Sequence, residues 1–378
     1  MFDVTLALCG ERFHVNYRLT GDAREARARA EDICIEQTIE FPAALVTGGG
    51  IRGQIFGRIE SLEPAGANVH IATISYAVET SGFELPQLLN VIFGNTSIKP
   101  GVRVERLALS PRLLAAFRGP RFGVAGIRRL VGAPKRPLLA TALKPMGLPA
   151  ATLADIAYRF ALGGMDLIKD DHGLANQSFT PFRERVERCA EAVARANRET
   201  GGHCLYLPNI TGPFEVVLEH ARFAKQAGAG GFLVSPGLIG LDTLRRLADD
   251  DGLALPIMSH PALQGSFVTG DDSGMAHEVI FGQIARLAGA DASIFPNYGG
   301  RFAFTREQCR AIAEACAEPM GAWPAILPTP GGGMDLARIP DMLDTYGRDV
   351  VLLIGGALHQ GGDITANTRR FRELVERA

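Results

Sequence analysis

From Pro137 onward, short apolar runs alternate with amphipathic stretches eight times, and this repeat limits the chain to very few folds. The runs are Leu138-Leu143, Met165-Lys169, Cys204-Leu207, Gly231-Val234, Pro256-Met258, Ala292-Phe295, Ala325-Leu327 and Val350-Ile354. Helices are expected over Ala150-Leu162, Phe182-Thr200, Phe214-Gln226, Leu241-Ala248, Ala276-Leu287, Arg306-Glu318, Ile339-Tyr346 and Ile364-Arg377. Eight such units in about 240 residues predict a (β/α)8 barrel. A doubly wound sheet is the alternative, but it usually has fewer strands and a Gly-x-Gly-x-x-Gly turn after the first. No such turn follows Leu143.

Residues 1 to about 115 read differently. Strands are expected at Phe2-Leu8, Phe13-Leu19, Gly53-Leu62, Asn68-Ala77 and Val102-Leu109, with helices at Asp22-Gln37 and Glu84-Phe93. Helices set against an antiparallel sheet make an α+β domain. The glycine- and proline-containing stretch Pro111-Lys135 reads as the linker. The expected division is therefore an N-terminal α+β domain, 1–115, and a barrel domain, 116–378, that carries the active site.

The balance of the chain is ordinary for a globular protein, with 47% hydrophobic and 21% charged residues. A net charge of -2 gives no reason to expect a nucleic-acid or membrane surface. The six cysteines form no C-x-x-C pair, so neither a zinc site nor a disulfide framework is expected. The N-terminus lacks the pattern of a signal peptide. A cytoplasmic protein acting on a small molecule is the expectation.

In a barrel of this kind the chemistry lies at the C-terminal ends of the strands. Strand one ends in Lys144-Pro145-Met146-Gly147, and strand two in Lys169-Asp170-Asp171-His172. Alternate residues of a strand face the same way, so Lys169 and Asp171 share a face and His172 stands at the turn beyond. Clustered oxygen ligands suit a hard cation such as Mg2+. A lysine joins them only as a neutral amine or after covalent modification. Lys144 and Lys169, on neighbouring strands, would both point at the mouth. Burying two lysines together is costly without a carboxylate or an anionic substrate. Strand five ends in Ser259-His260-Pro261, and strand six in Pro296-Asn297-Tyr298-Gly299-Gly300-Arg301. Glycine turns follow strand seven (Gly331-Gly332-Gly333) and strand eight (Gly355-Gly356), and such turns expose backbone N–H groups to a phosphate.

Gly-x-Asp-x-x-Lys-Asp-Asp at Gly164 to Asp171, together with Lys144-Pro145, Phe117-x-Gly-Pro, Asn90 in Leu89-Asn90-Val91 and the two glycine turns, resembles the RuBisCO large-chain superfamily. The likeness is to its RuBisCO-like, form IV members, which do not fix carbon. It implies a ferredoxin-like N-terminal domain before the barrel. It also implies Mg2+ bound by Lys169 as its carbamate and by Asp171, with His172 at the third ligand position, where the family has glutamate. Lys144 and His260 would act on the substrate with Lys169. Gly332, Gly333, Gly355 and Gly356 would hold a phosphate. Glu36 and Asn90 would reach the active site of the other subunit, making a homodimer with its sites at the interface.

Several departures narrow the activity. The mobile-loop lysine needed for carboxylation falls near Arg301, Met146 replaces a second lysine, and Pro261 replaces an arginine. With Pro261, Ile294, Phe295 and Tyr298 nearby, the distal end of the pocket is expected to be apolar. One phosphate at one end and an apolar group at the other suit an isomerase of 5-methylthioribulose 1-phosphate type, in methionine salvage. The enolase branch uses a lysine where this chain has Phe93-Gly94-Asn95. Decarboxylation of a 3-oxo sugar acid (3-oxo-isoapionate type) and a non-catalytic ligand-binding role are the alternatives.

Overall fold

The computed structural model describes residues 4–377, which divide into two compact units. The first takes the chain up to Arg118 together with Gln264–Gln283 and Met320–Ala322; the second holds Gly119–Leu263, Ile284–Pro319 and the chain from Trp323 onward.

The first unit is built on an antiparallel sheet of β1 (Arg12–Thr20), β2 (Arg58–Gly66), β3 (Val69–Ala77) and β4 (Val102–Ala108), in the order β4-β1-β3-β2. Helix Ala23–Glu36 follows β1, and helix Leu85–Phe93 joins β3 to β4. This is the ferredoxin-like arrangement. In β1 every second residue is buried, from Phe13 to Leu19, so one face covers the core. The first helix starts where Asp22 and Glu25 form a reciprocal capping box, which satisfies backbone N–H groups that the helix leaves open. A two-residue strand, Gly274–Met275, adds in parallel to the free edge of β4.

The second unit is the barrel. Its eight strands are Leu138–Leu143, Leu167–Asp170, Leu205–Leu207, Phe232–Val234, Ile257–Ser259, Ala292–Pro296, Leu327–Gly331 and Val351–Leu353, called here barrel strands one to eight. Strands eight, one, two and three pair in parallel, as do four, five, six and seven. A bridge between Asn209 and Leu233 links strands three and four, and Gly331 of strand seven packs on Leu353 of strand eight. The interior is filled by Leu138, Ala140, Leu167, Leu207, Leu233, Met258, Ala292, Ile294, Leu327 and Val351. Ile127 and Val131 of helix Gly123–Val131 join that cluster. The buried Asp291 carboxylate accepts the backbone N–H groups of Phe122, Gly123 and Ile257 and so fixes this helix's first turn. The barrel is thus a packed core, and its chemistry is confined to the loops at the strand ends.

Some local expectations fail. Val4 to Leu8 form no strand, and Phe2 lies outside the described residues. Within the expected strand Gly53-Leu62, Gly49–Gln54 is helical and β2 begins only at Arg58. Between them Gly57 lies on the Cys34 backbone, where an added Cβ would come within 2.8 Å of the Cys34 Cα. The supposed linker is largely helical, over Pro111–Ala115 and Gly123–Val131. Strand seven runs to Gly331 through Pro328 and Pro330, because the Leu327 N–H and the Gly331 carbonyl make its bonds towards strand six and the prolines need make none. The expected helix over Ala276-Leu287 is present from His277 to Leu287, with its middle, Val279–Ile284, wound as a π-helix.

Candidate active site

Strand one delivers Lys144, and strand two delivers Lys169 and Asp171, to the same end of the barrel. Strand pairing sets Ala142 beside Lys169 and Leu143 beside Asp170, so residues just beyond these pairs are neighbours. The Lys144 Nζ stands 3.2 Å from the Asp171 Oδ1. The His172 Nδ1 approaches the same oxygen at 3.6 Å. His172 in turn stacks on His260 from strand five, with ring centroids 4.5 Å apart and planes 14° apart. Lys144, Asp171, His172 and His260 are therefore one cluster. Lys169 is buried among them, with its Nζ donating to the Asp170 carbonyl at 3.1 Å.

Burial and charge set the protonation of this cluster. Burial pushes the Lys169 amine down to about 8; Lys144 adds to the effect, while Asp171 and Asp170 oppose it. Burial acts upward on the Asp171 carboxyl, but the adjacent His172 imidazole and the charges of Lys169 and Lys144 outweigh it and hold Asp171 well below the usual carboxylate range. His260 is driven far down by burial, then by Lys169 and His172, and is a neutral imidazole. Its Nδ1 accepts the Ala262 N–H at 3.2 Å, which assigns the ring proton to Nε2. His260 is thus a neutral donor beside two lysines and a carboxylate.

Asp170, between Lys169 and Asp171, faces the other way, as strand alternation requires. It is fully buried and accepts from the Arg185 Nε at 3.0 Å, the Tyr206 hydroxyl at 2.8 Å and the Asn209 backbone N–H at 3.0 Å. The Lys-Asp-Asp run therefore combines one structural carboxylate with one that faces the mouth.

Gly332 and Gly333 have φ of +90° and +72°, values that favour glycine in any fold. The loop after strand six lies on this turn: an added Cβ on Gly300 would run into the Gly332 carbonyl oxygen, and one on Gly332 would meet the Phe302 ring at 3.3 Å. Arg301 lies over the Phe302 ring, 5.2 Å from its centroid, so Arg301 and the Gly332-Gly333 turn are brought together. Gly355 and Gly356 are different. Neither has a positive φ, and an added Cβ would stand in open space at both. Packing does not require glycine there.

Glu36 and Asn90 belong to the first unit. The Asn95 amide donates to Glu36 at 3.0 Å, and Lys99 stands 3.6 Å from the same carboxylate. Asn90 is exposed and donates to Gln87 at 3.3 Å. One group of expectations needs correcting. Phe295 packs edge-on against Tyr346, and the Tyr298 hydroxyl binds Asp341 and Thr345 of helix Ile339–Tyr346, so neither ring lines the mouth. Ile294 faces the interior core. Asn209 was not among the candidates; its side chain donates to the His172 and Leu174 carbonyls at 3.0 and 2.9 Å. Its place at the end of strand three was the only signal in the sequence.

A closed parallel barrel whose mouth gathers two lysines, a carboxylate and a neutral histidine defines a barrel enzyme site for an anionic small molecule. Residues 123–368 match the family model for the ribulose bisphosphate carboxylase large chain, catalytic domain. The chain belongs to the RuBisCO large-chain family, within its RuBisCO-like, form IV branch. It is 41% identical over 364 residues, 96% of this chain and 95% of the relative, to a protein of Rhodospirillum rubrum named 5-methylthioribulose-1-phosphate isomerase. A protein of Geobacillus thermodenitrificans named 2,3-diketo-5-methylthiopentyl-1-phosphate enolase is 33% identical over 377 residues, covering 95% of this chain and 91% of the relative. Among solved structures, a Rubisco-like protein from Rhodopseudomonas palustris superposes with a TM-score of 0.88 at 39% identity, covering 97% of each chain.

Proposed function

We propose that the chain is an enolising isomerase of a phosphorylated sugar, of 5-methylthioribulose 1-phosphate type, and not a CO2-fixing carboxylase. The observation that carries this is the cluster of Lys144, Lys169, Asp171 and neutral His260 at one barrel mouth. Similarity to a relative named for this isomerisation supports it. So does Asn95 after Phe93-Gly94, where the enolase branch would have its lysine.

The residues divide the work as follows. Backbone N–H groups of Gly332, Gly333, Gly355 and Gly356 hold the phosphate, with the open space at Gly355 and Gly356 leaving room for its approach. Arg301 adds charge beside that turn. His260 donates its Nε2 proton to a substrate oxygen. Lys144, or a carbamate on Lys169, removes a proton from one carbon and returns it to the neighbouring one, so the formula of the substrate is unchanged. Incubation with sugar phosphates should yield an isomer and no gas; release of CO2 from a 3-oxo acid in place of isomerisation would make the protein a decarboxylase.

No three His, Cys, Asp or Glu side chains gather as a metal cluster among the described residues. Unmodified, the Lys144 and Lys169 ammonium groups leave the mouth too positive for a divalent cation. A carbamate on Lys169 reverses one of those charges, and its oxygens with the Asp171 carboxylate make a donor set that fits Mg2+; the His172 imidazole is a weaker third donor for so hard a cation. The bound ion would polarise the substrate carbonyl and acidify the neighbouring C–H. CO2 adds to the neutral amine only. With Lys169 near 8, about half of it is neutral at pH 8 and roughly a tenth at pH 7. Carbamate formation, read by 13C NMR with labelled bicarbonate and Mg2+, should therefore rise steeply from pH 7 to 8.5. A pH-independent signal, or one that survives in Lys169→Met, would count against Lys169.

The catalytic unit is proposed to be the barrel domain, 116–378, working as a homodimer. Met146, Phe179, Phe214, Leu238, Leu263 and Phe302 follow barrel strands one to six in turn, and each is at least 43% exposed. Six large apolar side chains in successive mouth loops make a rim suited to cover by a second copy. Glu36 and Asn90 of that copy would then complete the site. Sedimentation should give a dimer, and an active monomer would refute this arrangement.

A further inference from the structure

The ladder that holds strand two ends at the pairs Leu143–Asp170 and Lys169–Leu207. Asp171 and His172 lie beyond it, so sheet hydrogen bonds do not place them. Their turn closes on itself through the Leu174 N–H to the Asp171 carbonyl at 3.0 Å. That bond shapes the turn but does not tie it to the barrel.

Lys144 and His260 reach the side chains of this turn, and the tie to its backbone comes from strand three. The Asn209 Nδ2 donates to both the His172 carbonyl, at 3.0 Å, and the Leu174 carbonyl, at 2.9 Å. Asn209 is itself held from three sides. Its backbone N–H donates to the Asp170 Oδ2 at 3.0 Å, its Oδ1 accepts the Thr211 N–H at 3.2 Å, and it bridges to Leu233 of strand four. It is 1% exposed. An amide fixed this way presents two donors in one orientation. Aspartate has the shape without the donors, and alanine has neither.

We propose that Asn209 is the positioning residue of this site: it clamps the 171–174 turn and so sets where the Asp171 carboxylate and the His172 ring stand. The clamp rests on geometry alone. Its effect on turnover rests on the isomerase reading above. A misplacement of about 1 Å can cost about 100-fold in rate, so two lost donors are enough to matter.

The test compares Asn209→Ala with Tyr206→Phe in the full-length protein. Each removes one buried side-chain hydrogen-bonding group: Tyr206→Phe takes the hydroxyl from Asp170, whereas Asn209→Ala keeps the backbone N–H on Asp170 and takes only the two donors on the turn. Hydrogen exchange should show the Leu174 and Ala175 amides at least about 10-fold faster in Asn209→Ala and unchanged in Tyr206→Phe. Proton exchange on substrate should fall about 100-fold in kcat for Asn209→Ala, with KM within about threefold, and stay within about threefold for Tyr206→Phe. Unchanged turn protection in a folded Asn209→Ala protein would overturn the proposal, as would equal losses in the two variants. Should Asn209→Ala not fold, the wild-type protein decides: the clamp requires the Leu174 amide to exchange as slowly as those of strand three, and fast exchange there overturns it. If wild-type protein exchanges no substrate proton, the isomerase reading fails while the hydrogen-exchange comparison still decides the clamp.

Discussion

Lys144→Met should lower proton exchange on the proposed substrate by about 100- to 10,000-fold while leaving the protein folded. Among the described residues Lys144 has one carboxylate partner in reach, Asp171 at 3.2 Å, and its own side chain is 39% exposed. An ion pair that open to solvent contributes about 0–1 kcal/mol to stability. A purely structural Lys144 therefore predicts a slightly lower melting temperature and normal turnover per folded molecule. A catalytic Lys144 predicts the reverse, an unchanged melting temperature and a large rate loss. Methionine keeps most of the apolar stem, so the packing beside Asp171 is little disturbed. Phosphate binding should persist, because the glycine turns after strands seven and eight do not involve this side chain. Melting curves and single-turnover exchange on one preparation separate the two outcomes.

Asp170→Ala, one residue from the mouth-facing Asp171, should act on stability. Its carboxylate is the buried counter-charge of Arg185, and both side chains are fully enclosed. Removing one partner of such a pair leaves a buried guanidinium uncompensated, which typically costs about 3–5 kcal/mol. The Tyr206 hydroxyl and the Asn209 N–H lose their acceptor as well. Urea unfolding should therefore show a large fall in the midpoint. Asp171→Asn should lower the midpoint by less, because this carboxylate is only partly buried, and should abolish exchange. Pairing Asp170→Ala with Arg185→Met should recover part of the lost stability, since no charge is then stranded. Equal midpoints for Asp170→Ala and wild type would show that the pair does not hold the strand.

The same contrast measures how much of the site was legible. Alternation along Leu167-Ile168-Lys169-Asp170-Asp171 separates the two carboxylates by direction, and the structure puts Asp171 at the mouth and Asp170 behind the strand. What Asp170 meets there was not legible. Arg185 lies on a helix rich in arginine and glutamate, where a charge usually faces solvent, and Tyr206 is 36 residues from its partner. Nothing local marks either as buried. The barrel itself could be read from its eightfold alternation, because buried parallel strands need short apolar runs and their covering helices need one apolar face. The edges were harder. Phe295 and Tyr298 look like pocket lining when read as composition, yet Phe295 falls between the inward-facing Ile294 and the strand end, and both rings pack on helix Ile339–Tyr346. In the first unit, Gly53 to Leu62 alternates well enough to suggest one strand. Only the close approach of Gly57 to the Cys34 backbone, a tertiary contact, places the break.

The isomerase reading is tested most directly by 1H NMR of the proposed substrate, 5-methylthioribulose 1-phosphate, in deuterated water with Mg2+, bicarbonate and the wild-type protein. The proton on the carbon beside the carbonyl should exchange for deuterium as isomer accumulates. Lys144→Met should slow both processes together. A substrate that keeps its proton in the presence of folded, carbamylated wild-type protein, or an exchange rate that Lys144→Met leaves intact, would contradict that reading.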